Sequence, residues 1–518
     1  MPSDPSTSVL AGDWISTTWR DDQPVPDDLA DRVALGLGEV LRNAHLIKTI
    51  DAINPPALSA SYRLLYALAA RVSGLDQLGA DSDDWRERRA ELLDAGHFDP
   101  DAVDDYCDRF ASRFDLCDPQ RPFLQDPRLA TECEKPAGIN KVVIGRPAGN
   151  NHRWFGGAHS DAHPLPVPLP QAFQHLLVWL YYGSSGRCAT RTVGDTSKAD
   201  TKAGPLRSTI SYHLVGPGLF ETLIAGIPEP NPSQTPGQDL CPWEWDELPD
   251  PTSIPPQAAG TGASLTARSQ HALLLVLGPD RNSIIDAYIT WAYRDAVAAP
   301  EDPFLCWLLS KENKRYARRA DSSRALWRDL DGLLGEAPTS GPNPQPSIFE
   351  DMPEIDGLYR VQALGFEQDG QAKDTQFVEG LTPPIVNAHK EAKAELGRRI
   401  ADLRAAGERI GRNLDRAAKT AWSLYAKEKI RECAWSRQTA AMYWPQAEDL
   451  FWRCLADQDF DGLNKAFRAL ATSAYDAVTT DACNSMRGAR AVETARVELY
   501  GGRLSHLKPK PSATKEST

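Results

Sequence analysis

Residues 149–166, GNNHRWFGGAHSDAHPLP, gather side chains that could do chemistry. His159 and His163, with Asp161 between them, could hold zinc or iron, because imidazole and carboxylate are suitable ligands for such ions. Alternate residues share a face only in a strand, however, and Gly156-Gly157 before them and Pro164 and Pro166 after them point to a plain polar loop. The first half offers other chemistry. Asn150 and Asn151 can donate and accept at phosphates or base edges, Arg153 can fork onto phosphate, and Trp154 or Phe155 can stack on an unpaired base. The stretch poses a choice between a metal-dependent enzyme and a loop that touches nucleic acid, with a packed aromatic loop as the bland alternative.

Other catalytic signatures are missing. There is no G-x-x-x-x-G-K-[ST], so the glycine amides and lysine that cradle nucleotide phosphates are absent, and GDTSKADTKAGPLR lacks the required ending. No H-E-x-x-H, G-x-S-x-G or strand-anchored G-x-G-x-x-G occurs. The nine cysteines include no C-x-x-C pair, which fits thiols buried in a reducing compartment. With 41% hydrophobic and 25% charged residues, the 518-residue chain has the composition of an ordinary globular protein of several domains. The start, MPSDPSTSVLAGDW, has neither a basic nor an apolar leader region, and HALLLVLG and HLLVWLYYG are too short to span a membrane, so a cytoplasmic location is expected. The net charge of -14 argues against uniform nucleic-acid binding but leaves room for a local basic stripe.

The elements that must position these residues fall into two regions. Residues 1 to about 115 read as mainly helical, from DDLADRVALGLGEVLRNAHLIKTI and PPALSASYRLLYALAARVSGL. Between 118 and 260 short β-type runs, KVVIG and STISYHLVG, alternate with turn residues and one apolar helix, PQAFQHLLVWLYYG. PEPNPSQTPGQDLCPWEWDELPDPTSIPPQ reads as a long surface loop. After Pro383-Pro384, Leu396, Ile400, Leu403, Gly407, Ile410, Leu414, Ala417, Ala421 and Leu424 form the seam of a long helix in a bundle. Lys and Arg outnumber Asp and Glu between Lys390 and Arg431, a solvated face or a surface for an acidic partner. The expected fold is α+β: a large mixed N-terminal domain over 1–380, a C-terminal four-helix bundle over 385–505 and a disordered tail over 506–518.

The ordered segments RPFLQDPRL, GNNHRWF, GRCATRT, KADTKAGPLRSTISYHLVG, LFETLIAGIP, CPWE, SLTARSQHALLLV and SRALWRDL run from residue 121 to 330 and are followed by the helical region. Together they resemble the large subunit (CasA family) of the type I-E CRISPR surveillance complex, Cascade, over essentially the whole chain. The resemblance implies a noncatalytic, cofactor-free DNA-recognition subunit in antiviral defence. Its partners would be the CRISPR RNA, double-stranded target DNA, the other Cascade subunits (backbone and small-subunit dimer) and the helicase-nuclease, with no membrane. Base pairing would read the target, while the protein reads a short protospacer-adjacent motif and promotes duplex opening and R-loop formation.

Carried over position by position, the resemblance places Asn150, Asn151, Arg153, Trp154 and Phe155 at the RNA handle. Lys198, Lys202, Gly204 and Arg207 would stand at the DNA minor groove, whose degenerate pattern allows several motifs. LGFEQDGQAKDTQF, with Asp369-Gly370 as turn signal, matches a glutamine-tipped wedge, with Gln371 as the tip and Gln368 as the alternative. Arg398, Arg404, Arg409, Arg412 and Arg416, spread around the long helix, are candidates for DNA backbone contact. Some relatives hold a structural zinc with two cysteine pairs; only isolated Cys188 and Cys241 stand in that region here, so no metal is expected. Two other readings stay open: a metal-dependent enzyme using His159, Asp161 and His163, and a pure scaffold subunit without DNA contact.

Overall fold

The structure is a computed structural model that describes residues 5–77, 82–146, 164–230, 238–295, 301–330, 333, 345–350, 352–353, 359–369, 373–384 and 393–504. They divide between two compact units, one drawn from 1–322 and 337–387 and the other from 323–336 and 388–518. The class is α+β with a helical C-terminal bundle.

The first unit opens with a small sheet instead of the expected helices. Strands β1 (Ile15–Trp19), β2 (Ala34–Leu35) and β3 (Ile47–Asp51) lie in the order β2-β1-β3, all antiparallel, with the six-residue α1 (Leu37–Arg42) between β2 and β3. Gly36 breaks the helical pattern that its neighbours suggest. It is extended, and a Cβ there would lie 2.3 Å from the backbone of Leu10 and Ala11, so the N-terminal segment can pack directly on it. The β-branched Ile47, Thr49 and Ile50 then find partners in β1, and tertiary pairing overrides the apparent period.

PPALSASYRLLYALAARVSGL does form a helix, α2 (Pro55–Ser73). Asn54 caps it by accepting from the Ala57 amide at 2.9 Å, prolines fill its first turn, and Gly74 ends it in the left-handed conformation. It is buried along nearly its whole length, as is α7 (Leu169–Tyr182), the expected apolar helix. Among the described residues, α3 (Ser82–Ala95), α4 (Pro100–Phe110), α5 (Leu129–Glu132) and α6 (Ile139–Val142) lie between these two. The last corrects the expected KVVIG strand, since Lys141 and Val142 close a helical turn.

Strand β4 (Val167–Pro168) pairs with β9 (Ser283–Trp291), which also pairs with β8 (His271–Leu277). β5 (Gly186–Val193) and β6 (Thr196–Thr201) form a hairpin. β7 (Ile210–Val215), within the expected STISYHLVG run, pairs with β12 (Arg360–Asp369), whose other edge carries β13 (Lys373–Leu381). β10 (Trp307–Leu309) and β11 (Arg315–Ala317) make a small hairpin, and α8 (Leu219–Ala225) and α9 (Thr261–Thr266) complete the unit. The described part of the proline-rich segment is irregular, but it is not a surface loop, because Cys241 and Trp243 are buried.

The second unit contains α10 (Lys393–Ala426), α11 (Ala434–Ala456), α12 (Leu463–Thr479) and α13 (Met486–Leu499). Ile400, Leu403, Ile410, Leu414, Ala417 and Ala421 form the buried seam of α10, while Leu424 is 44% exposed and lies outside it. Residues 323–330, which in sequence fall between the two stretches of the mixed unit, sit with these helices, and Trp327 is fully buried among them. The expected tail, 506–518, lies outside the described residues.

Candidate nucleic-acid interface

α7 sets the base of the site, because its C-terminal carbonyls need donors from outside the helix. The segment after β6 supplies them. Leu206 donates its amide to the Tyr181 carbonyl at 2.9 Å, and Gly204 donates to the Gly183 carbonyl at 2.9 Å. A Cβ on Gly204 would stand 2.5 Å from the Tyr181 oxygen, so only glycine permits this approach. Gly204 is therefore buried against the end of α7, which corrects the expectation that it meets a DNA groove.

Two residues further on, this segment is tied to the β12–β13 hairpin. Ser208, at φ 62°, donates its amide to Gln368 Oε1 at 3.0 Å and its hydroxyl to the Gln368 carbonyl at 2.9 Å. Gln368 Nε2 donates to Asp374 Oδ1 at 2.7 Å and to the Tyr182 carbonyl at 3.4 Å. Arg207 Nη1 reaches the same Tyr182 carbonyl and, at 3.2 Å, the same Asp374 oxygen. Burial pulls the Arg207 guanidinium below its usual range, and nearby Asp374 works against that.

These bonds separate the two glutamines. Gln368 is 7% exposed with its amide fully engaged, so it belongs to the stem and is not the tip. A register shift between Glu367 and Gln368, which sets Gln368 opposite Asp374, marks the place where the strand turns this side chain inward. Gln371 lies outside the described residues, between strands that end at Asp369 and restart at Lys373. Gln368→Ala would leave the Ser208 amide without its acceptor and is expected to cost about 1–3 kcal/mol, read as a lower urea midpoint.

Lys198 and Lys202 are exposed; Lys198 lies on β6, and Lys202 donates from Nζ to the Arg294 carbonyl at 2.7 Å. A family model described as CRISPR-associated protein Cse1 matches residues 9–482.

The chain belongs to the Cse1 family.

The CasA/Cse1 protein of Thermus thermophilus is 27% identical over 313 residues, which are 58% of this chain and 57% of that protein. The chain thus matches little more than half the length of that curated relative. A solved chain described as belonging to a CRISPR RNA-guided surveillance complex is 38% identical, with a TM-score of 0.86 over 96% of this chain and 100% of its own. A crystal structure of Cse1 from Thermobifida fusca, 18% identical, shares the fold with a TM-score of 0.71 over 96% of this chain and 98% of its own.

This Cse1 family member also carries a basic hairpin that sequence reading missed. On and around β10–β11, Lys311, Lys314, Arg315, Tyr316 and Arg319 are exposed. Backbone pairing of Thr209 with Arg319 and of Ser211 with Leu305 fixes the hairpin to β7, the neighbour of β12. The signal was present in SKENKRYARR, where basic residues crowd around a turn at Asn313, φ 61°.

On α10 of the Cse1 bundle, Arg398, Arg409 and Arg412 are exposed, and Arg404 and Arg416 are half-buried. At about 100° per residue, Arg398, Arg409, Arg412 and Arg416 fall within a stripe roughly 60° wide, while Arg404 points elsewhere. The expected spread around the helix is thus four arginines on one side and one off it. Asn150, Asn151, Arg153, Trp154 and Phe155, and also His159, Asp161 and His163, lie outside the described residues. Among the described residues, no group of three or more His, Cys, Asp or Glu is placed to hold a metal ion. No helix among them is long and apolar enough to cross a membrane.

Proposed function

We propose that this chain is the noncatalytic DNA-recognition subunit of a type I-E RNA-guided surveillance complex of the Cascade kind. It reads a short adjacent motif in double-stranded DNA, parts the first base pairs to start the R-loop and helps recruit a helicase-nuclease. The observation that carries the reading is the set of bonds joining Ser208 and Arg207 to Gln368 and Asp374. It fixes the segment that follows exposed Lys198 and Lys202 to the stem of the hairpin that leads to Gln371. A groove-reading element and a wedge must act at adjacent base pairs, so a rigid tie between them is what the task needs.

The likeness to a chain of an RNA-guided surveillance complex supports the assignment of partners: the CRISPR RNA, the backbone subunits and the small-subunit dimer. Within it, Asn150, Asn151, Arg153, Trp154 and Phe155 contact the RNA handle, and the stripe of Arg398, Arg409, Arg412 and Arg416 follows a DNA backbone. Lys311, Lys314 and Arg315 add positive charge beside the motif.

In the assembled complex, Lys202→Ala together with Gln371→Ala is expected to weaken binding to motif-bearing duplex by at least about tenfold, because a charge-assisted contact and the wedge are lost together. Binding to duplex without the motif should change little. Gel shifts with both duplexes read this directly, and unchanged motif dependence would favour the scaffold reading. Arg412→Ala with Arg416→Ala should instead weaken both duplexes alike and reduce the salt slope by about 1–2.

A further inference from the structure

The segment CPWEWDELP, residues 241–249, is held in place with more polar bonding than a surface loop needs. Arg71, its side chain 6% exposed, donates to Glu244 at 2.9 and 3.0 Å and to the Asp239 side chain at 3.0 Å, and also pairs with Asp76. Tyr106 donates to Glu244 at 2.6 Å, and Trp243 donates to the Tyr106 hydroxyl at 2.8 Å. From the other side, Arg121 donates to the Asp246 and Trp245 carbonyls at 2.9 and 2.7 Å, and Arg128 to the Pro249 carbonyl at 3.0 Å.

The segment held this way walls a pocket of about 110 Å³, closed on its other sides by residues 121–128, 266–273 and 292–293. An enclosed cavity of about 150 Å³ accepts benzene, so this smaller one does not enclose a ring, and a planar ligand would lie across its open mouth. Trp243, Trp245 and Tyr293 line it, and the last two are only half-buried, which leaves aromatic surface to stack on.

Arg113, Arg121 and Arg128 line the same pocket, and of these three only the Arg128 guanidinium has a carboxylate ion-pair partner among the described residues. Arg128 is paired with Asp126 at 2.8 Å; Asp126 also meets buried Arg191 at 2.7 Å, but Arg191 has a second carboxylate in Glu132 at 2.6 Å, so that group is balanced. The Arg121 guanidinium donates to carbonyls while its backbone amide donates to the Asp118 carboxylate, and the Arg113 side chain has no hydrogen bond or ion pair among the described residues. Asp246 and Glu247 lie close enough to offset part of the charge. Even so, burial first, and then Arg113 and Arg128, leave the Arg121 guanidinium below its usual range. At Leu124 on the rim, φ is 57°, a conformation that non-glycine residues rarely hold without cause.

We propose that this pocket binds a nucleotide, with the base stacked at Trp245 and Tyr293 and a phosphate monoester on Arg113 and Arg121. A phosphate monoester carries about -1.5 to -2 charges at neutral pH and so matches two unbalanced guanidinium groups, where the single charge of a peptide carboxylate would not. The ligand is either a free nucleoside monophosphate or the 5′-phosphorylated end of a strand, since both present the same chemistry. The site uses none of the residues assigned to motif recognition.

Titration calorimetry of the full chain tests this with AMP, UMP, adenosine, inorganic phosphate, a 5′-phosphorylated diadenosine dinucleotide and the peptide Asp-Trp-Asp. AMP or UMP should bind saturably, with adenosine and phosphate at least about tenfold weaker. Tighter binding of the dinucleotide would identify a strand end as the source, and tighter binding of the mononucleotide a free ligand. Arg113→Ala and Trp245→Ala, checked for retained fold by circular dichroism, should each lower nucleotide affinity about tenfold. Lys202→Ala with Gln371→Ala should leave it unchanged, which separates this site from the motif interface. The proposal is overturned if no nucleotide saturates the protein into the millimolar range, if the peptide binds more tightly than AMP, or if neither pocket variant alters AMP affinity.

Discussion

Trp327→Ala is expected to destabilise the C-terminal helical unit by about 3–5 kcal/mol, the usual cost of removing a fully buried indole. Trp327 is 0% exposed and stacks on Phe451 with ring centroids 4.9 Å apart, on Phe467 at 6.4 Å and obliquely on Trp444 at 6.2 Å. Gly407 makes this possible, because a Cβ there would lie 2.7 Å from the indole. Gly407 interrupts a seam that is otherwise mostly Ile and Leu, and the indole fills the space beside it. A loss of this size is a large part of a typical domain's 5–15 kcal/mol. Thermal unfolding of the full chain should show a lower transition, with faster amide exchange in residues 393–426.

The same insertion makes the unit acid-sensitive. Arg328, next to Trp327, pairs with Glu408 and lies 3.7 Å from the Trp444 ring centroid. Burial works against ionisation of Glu408, but hydrogen bonding and charge from Arg328 outweigh it and hold the carboxyl below its ordinary value of 4.5. A carboxylate with a depressed folded pKa contributes stability that is fully present above its unfolded value and is lost as the pH falls through the folded one. The contribution is therefore complete at neutral pH and is lost progressively as the pH falls below about 4.5, a pH dependence that Glu408→Gln should abolish.

What the sequence revealed depended on how local the deciding forces were. α2, α7 and α10 were legible because their apolar residues repeat at helical spacing over several turns, with Pro55-Pro56 marking the start of α2. The β12–β13 hairpin was legible from Asp369-Gly370. Residues 34–50 were misread because β3 owes its existence to β1, some thirty residues earlier, and periodicity does not carry that pairing. Gln368 passed for a wedge candidate by adjacency to the turn, whereas its orientation depends on a register shift and on Ser208, 160 residues away. The joining of Trp327 to the bundle and the burial of Trp243 are likewise tertiary facts. In each case a residue that seemed available in sequence was already engaged by distant chain.

Removing one partner of the buried Arg63–Asp302 pair should cost the first unit about 3–5 kcal/mol and also reach the motif interface. The two side chains are 1% and 4% exposed and form bonds of 3.3 Å from Nε and 3.0 Å from Nη2. Arg63 also donates to the Ser59 hydroxyl at 2.6 Å and lies 5.0 Å from the Phe304 ring centroid. Burial opposes its charge, and Asp302 more than compensates, so Asp302→Ala strands an uncompensated cation in the core. The disturbance has a short route to the hairpin. Ser59 Oγ is 3.0 Å from Ser211 Oγ on β7, and Ser211 donates to the Leu364 carbonyl of β12 at 3.2 Å. Asp302→Ala should therefore speed amide exchange in β12 and weaken motif-dependent binding, although Asp302 is buried and touches no surface. Arg63→Met combined with Asp302→Leu removes both charges of the pair but takes the carboxylate from Arg268, 3.9 Å from Asp302, so it should recover only part of the stability. Urea unfolding of the two single variants and the double variant measures the coupling. Additive losses would show that the pair does not act as a unit, and unchanged exchange in β12 would sever the proposed route from core to hairpin.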